Sequence, residues 1–78
     1  MAVLMYNREK KISDRIEVKI SYLTALLFID GEHVSSYYPQ GLSETILKEC
    51  VSDDLRDNGL NPEKEDVETI VRFAKLAK

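Results

Sequence analysis

One cysteine, one histidine, two prolines and three glycines are spread over 78 residues, and each shortage excludes something. A lone cysteine builds neither an internal disulfide framework nor a cysteine-based zinc site. So little glycine and proline excludes a fibre or a flexible linker. The 44% apolar content, in turn, is too high for intrinsic disorder. No apolar run approaches the roughly 20 residues of a membrane-spanning helix. The longest, residues 22–29, has Thr24 inside it. The apolar residues 1–6 are too short for a secretory signal, and the charged stretch 8–11 follows them instead of preceding them. With Cys50 alone and no export signal, a reducing cytoplasm is the expected location. A single domain over residues 1–78 is the expected organisation. A chain this short hides only roughly 60% of the surface its unfolded form exposes, so its core is thin.

Catalytic patterns are equally scarce. Gly31, Gly41 and Gly59 are isolated and make no phosphate-cradling loop. Ser35, Ser36 and Ser43 lack the Gly-x-Ser-x-Gly elbow that exposes a nucleophile. His33 stands near only Asp30 and Glu32, short of a convergent metal-ligand set. Cys50 falls on the apolar stripe of a helix, where a small hydrophobe needs no further role. These shortages point away from an enzyme, and no cofactor or metal is expected.

Charge is plentiful but uneven. The net charge is −3. Residues 1–20 carry five basic and three acidic groups, whereas residues 49–68 carry eight acidic and two basic ones. Residues 69–78 hold Arg72, Lys75 and Lys78 with no acid. Acids early in a helix and bases late in it complement the helix macrodipole, which accounts for much of this pattern. The acidic stretch also disfavours a nucleic-acid grip by the second half, because phosphate contacts need local Lys and Arg.

Hydrophobic periodicity divides the chain into a strand-rich first half and a helical second half. Residues 2–6 read as a short apolar strand and 7–14 as a polar loop. From Arg15, Ile16, Val18, Ile20 and Tyr22 fall on one face of a strand, with Glu17, Lys19 and Ser21 on the other. Leu23, Ala25, Leu27 and Ile29 then share one parity and Thr24, Leu26 and Phe28 the other, so both faces of 22–29 carry apolar side chains. A short helix competes there. Asp30–Gly31 favours a strand, because Asp-Gly between apolar alternations is a strong hairpin signal. The return strand runs over 32–38 and stops at Pro39, which lacks an N–H. Residues 21–24 are either a tight turn or a bulge. A helix follows, with Leu42, Ile46, Leu47, Cys50, Val51 and Leu55 as its stripe. Gly59 suits its left-handed end. A second helix starts with Asn61 as N-cap and Pro62 in the first turn, and buries Val67, Ile70, Val71, Phe73, Ala74 and Ala77. Leu76 falls outside that stripe.

The expected fold is α+β. A small antiparallel sheet of three to four strands over residues 2–38 is followed by an antiparallel two-helix hairpin over 42–77, packed on one face. Two helices cover only one face, so the second apolar face implies the N-terminal segment or another chain as cover. A protein partner or a homodimer is therefore expected, in a non-enzymatic regulatory, adaptor or inhibitor module. Tyr37 and Tyr38, beside rigid Pro39, resemble interface anchors, since alternation sends one inward and one outward. The acidic contact candidates are Asp53, Asp54, Asp57, Glu63 and Glu65. Asp54 is unusual because it lies near the middle of the first helix's apolar stripe. There it must be paired, hydrogen-bonded or past the core's edge. The alternative is a nucleic-acid-binding regulator using Arg8, Lys10, Lys11, Arg15 and Lys19, with a tyrosine stacking on a base.

Overall fold

The computed structural model describes residues 8–77. Four strands, β1 (Arg8–Lys11), β2 (Ile16–Ser21), β3 (Thr24–Ile29) and β4 (Glu32–Tyr37), form an antiparallel meander in chain order. A single 3-10 turn, Pro39–Gly41, leads to α1 (Glu44–Asp57) and α2 (Lys64–Ala74). The α+β fold matches the expectation from the sequence, with both helices following the sheet.

The core lies between one sheet face and the helical pair. Ile16, Val18, Ala25, Leu27, Ile29 and Tyr37 from the sheet meet Leu47, Val51 and Leu55 of α1 and Val67, Ile70, Val71 and Ala74 of α2. Each fully buried aliphatic side chain contributes about 1.5–3 kcal/mol relative to exposure. The opposite face carries Glu17, Lys19, Leu26 and Phe28, all half-buried. Lys19 Nζ sits 4.7 Å from the centroid of the Phe28 ring, and the His33 ring lies 5.4 Å from it. Phe28 is thus partly covered by its own sheet neighbours.

Local chemistry sets the connections. Asp30 (φ 52°) and Gly31 (φ 82°) both take the left-handed conformation, the requirement of a two-residue hairpin turn of the I′ class. A register shift follows in the β3–β4 ladder, where Phe28 opposes His33 but Leu27 opposes Ser35, leaving Val34 as an extra residue. Uninterrupted pairing would place Ser36 opposite Ala25. The bulge places Tyr37 there instead and turns its ring into the core. Ser43 caps α1 by accepting from the Ile46 N–H at 3.2 Å. At the other end Gly59 (φ 78°) closes it with paired bonds, Leu60 N to Leu55 O and Gly59 N to Arg56 O.

Several expectations need correction. The segment 7–14 is not all loop: Arg8–Lys11 is an edge strand paired with β2. Its four charged residues hide any alternation, as edge strands guarded against aggregation do. The expected strand at 2–6 lies outside the described residues. Tyr22 does not extend the buried face of β2, nor Leu23 that of β3, because the two residues are the turn between the strands. Ile46 is 47% exposed, since the buried stripe of α1 follows Leu47, Val51 and Leu55 at four-residue steps. Leu42 packs on the core from extended backbone before the helix. α2 begins at Lys64, not just after Asn61, because the Asn61 carbonyl accepts from the Glu63 N–H. Its N-cap is Glu63, and the link between the helices is six residues, 58–63.

Candidate functional site

The β2–β3 turn breaks the usual chemistry of tight turns. Such turns favour Gly, Asn or Asp, which tolerate positive φ and meet water well. Here Tyr22 holds φ 55° and is 69% exposed, and Leu23 is 51% exposed. For a residue other than glycine this conformation costs roughly 1–2 kcal/mol. Next to the turn stands Tyr38, 65% exposed at the end of β4. Tyr22, Leu23, Leu26 and Tyr38, with Ser21 and Thr24, line an open, mostly apolar depression of about 390 Å³.

Tyr38 also borders a second, larger groove of about 530 Å³ between β4 and α1. Its lining includes Tyr37, Leu42, Cys50, Asp53 and Asp54. The two hollows therefore form one surface, with an apolar part and an acidic part hinged on Tyr38. The chain around Tyr38 is held firmly. Pro39 is buried, and Lys75 of the α2 end donates from Nζ to Leu42 O at 2.9 Å and to Pro39 O at 3.4 Å.

Asp54 is explained by the same groove. It is half-buried and accepts a hydrogen bond from the Tyr37 hydroxyl through Oδ2. α1 has therefore not run past the core at this turn, and the carboxylate ties the helix to the end of β4. Burial, then the Asp54 hydrogen bond, pushes the Tyr37 phenol far above the usual tyrosine range. The Ser35 hydroxyl, hydrogen-bonded to the same oxygen, pulls it partly back.

Of the acidic and aromatic candidates, Tyr37, Tyr38, Asp53 and Asp54 converge on this groove. Asp57, Glu63 and Glu65 are exposed but do not line it. Asp53 is also paired with Arg56 at 3.0 Å on the open helix surface. Sequence reasoning missed Tyr22, Leu23 and Leu26. Strand alternation carried Tyr22 inward; of the two readings left open for 21–24, the tight turn is the one found, and it puts both residues at an exposed tip.

The basic candidates are dispersed. Arg8 opposes Ile20 and Lys10 opposes Val18, which puts them on the helix-facing side of β1, while Lys11 opposes Glu17 on the other side. Arg15 grips both oxygens of Asp30, at 2.9 and 2.7 Å, and the bond holds that carboxyl below its usual range. Lys19 lies near Glu9 and Glu17 at 3.5 and 3.8 Å. His33 Nε2 is within hydrogen-bond distance of Ser35 O and Ser36 Oγ, 3.0 and 2.9 Å. Among the described residues no group of three or more His, Cys, Asp or Glu side chains could hold a metal ion, and no helix is long and apolar enough to cross a membrane. Comparison with protein-family models, curated proteins and solved structures finds no match to this chain.

Proposed function

We infer that this protein is a non-enzymatic binding module whose Tyr22–Leu23–Leu26–Tyr38 surface docks a protein partner. The observation that carries the reading is the β2–β3 turn. A small domain has little stability to spare, yet this turn keeps a tyrosine in a strained conformation and shows two large apolar side chains to water. Neither feature serves the fold of the isolated chain, and departures from local rules cluster at functional sites. Exposed tyrosines around an apolar hollow are the anchors that dominate protein interfaces.

The adjoining acidic groove defines the partner further. An apolar side chain would fill the hollow between Tyr22 and Tyr38, and a Lys or Arg beside it would reach Asp53 and Asp54. A symmetric pair of this chain would set the acidic groove near its own copy, where like charges repel. A different protein with a basic rim is therefore favoured over a homodimer. The nucleic-acid alternative is supported less, because Arg15 and Lys19 are engaged with carboxylates and the remaining bases split between two sheet faces.

Affinity capture from cells of the source tests the reading. A partner retained by the wild type and by Lys48→Ala, but lost from both Leu23→Asp and Tyr38→Ala, is expected. Retention of every captured protein by the Leu23→Asp and Tyr38→Ala variants would overturn it.

A further inference from the structure

We propose that a second surface, the cleft between β1 and α2, receives an extended acidic segment of a protein partner, which adds to β1 as a fifth strand. The cleft lies apart from the Tyr22–Tyr38 surface and has a volume of about 500 Å³. Lys10 lines it from the strand side, and Thr69, Arg72, Phe73 and Leu76 line it from the helix side. Among the described residues no acidic side chain lines it. Among the described residues neither Lys10 nor Arg72 forms an ion pair, in contrast to Arg15, Lys19, Lys48 and Arg56. Two cations thus face one hollow from different elements without an anion between them. Arg8, two residues along β1, lies on the same face.

The apolar half of the cleft excludes a simple point-charge reading. Phe73 is half-buried and Leu76 is 44% exposed, so an apolar side chain entering here gains burial. An amphipathic segment with alternating acidic and apolar residues satisfies both halves.

The edge strand supplies the third requirement. Among the described residues β1 is the first strand of the sheet, and its four residues are all exposed. In an antiparallel ladder about half of an edge strand's N–H and C=O groups point away from its neighbour. These groups can pair with an extended peptide, the mode by which sheet edges capture partners. Alternation would then send every second side chain of the added strand toward Lys10 and the helix wall. Charged edges usually serve to repel other strands. The charges on the helix-facing side here are all positive, so they repel basic strands and admit acidic ones.

The test uses the full chain, isotope-labelled, titrated with a blocked peptide of alternating Glu and Val, and with its Lys/Val counterpart. The Glu/Val peptide should shift and protect amides of residues 8–11 and shift those of 69–76, with affinity falling as salt rises. The double variant Lys10→Glu, Arg72→Glu should bind it about tenfold more weakly or worse, and should take up the Lys/Val peptide instead. Both substituted side chains are exposed, and an unchanged amide pattern elsewhere confirms the fold. Equal binding by wild type and double variant, or no binding by wild type, would overturn the proposal. Binding of oligothymidylate at these amides without peptide binding would overturn it in favour of nucleic acid. Tyr22 and Tyr38 variants should leave the titration unchanged, so this surface and the Tyr22–Tyr38 surface fail or stand separately.

Discussion

Replacing Tyr22 by Asn separates stability from docking. Asn tolerates the left-handed conformation that Tyr22 adopts at φ 55°, so relief of strain is worth about 1 kcal/mol. The loss is small, because Tyr22 is 69% exposed. Burying an aromatic side chain completely is worth about 1.5–3 kcal/mol, and under a third of that is forfeited here. The net expectation lies between no change and about 1 kcal/mol of added stability. For a domain of this size, 1 kcal/mol corresponds to a rise of about 4–8 °C in Tm. Urea denaturation followed by circular dichroism measures it, with a constant slope against urea as the check on two-state behaviour. The same variant should lose the partner. A loss of more than about 1 kcal/mol would show instead that the turn serves the fold and that its exposed side chains need no partner.

Other consequences concern the tie between α1 and β4. Tyr37→Phe should cost about 1 kcal/mol, because the carboxylate left behind is half-buried and regains water; Asp54→Ala should cost about 1–3 kcal/mol by stranding a buried hydroxyl. A double-mutant cycle in urea should show the two to be non-additive, and additive losses would mean the bond contributes nothing. The raised Tyr37 pKa also shapes alkaline behaviour. Its stabilising effect is complete below the unfolded tyrosine value, about 10. Above it the unfolded chain releases a proton that the folded chain retains, so stability falls by about 1.4 kcal/mol per pH unit from this group. Tyr37→Phe should flatten that fall in denaturation measured between neutral and alkaline pH. Gly59→Ala should cost about 1–2 kcal/mol in the same assay, since φ 78° is left-handed although the space an added Cβ would enter is open.

The architecture was largely legible because its strongest signals are periodic. Ile16–Val18–Ile20 alternates, Val67–Ile70–Val71–Ala74 follows helical spacing, and Asp30–Gly31 dictates its own turn. What escaped the sequence follows from physics that composition does not record. The β1 strand carries only charged side chains, so backbone pairing with β2 is its sole signature. The bulge at Val34 decides which of Tyr37 and Tyr38 turns inward, and no residue type marks it. Tyr22 and Leu23 have apolar side chains in a turn, and a pattern that equates apolar with buried misplaces them. Tyr38, Asp53 and Asp54 were nameable in advance, but their convergence depends on how α1 crosses the end of β4. Asp57, Glu63 and Glu65 share their charge but not that location.

The most direct test of the docking surface is a photo-crosslinking amino acid placed at position 22 in the intact protein inside its own cells. A defined covalent adduct with another protein is expected, abolished by Tyr38→Ala and absent when the probe stands at Lys48, which does not line the docking surface. A probe at position 22 that yields no adduct, or only one with a second copy of the same chain, would contradict it.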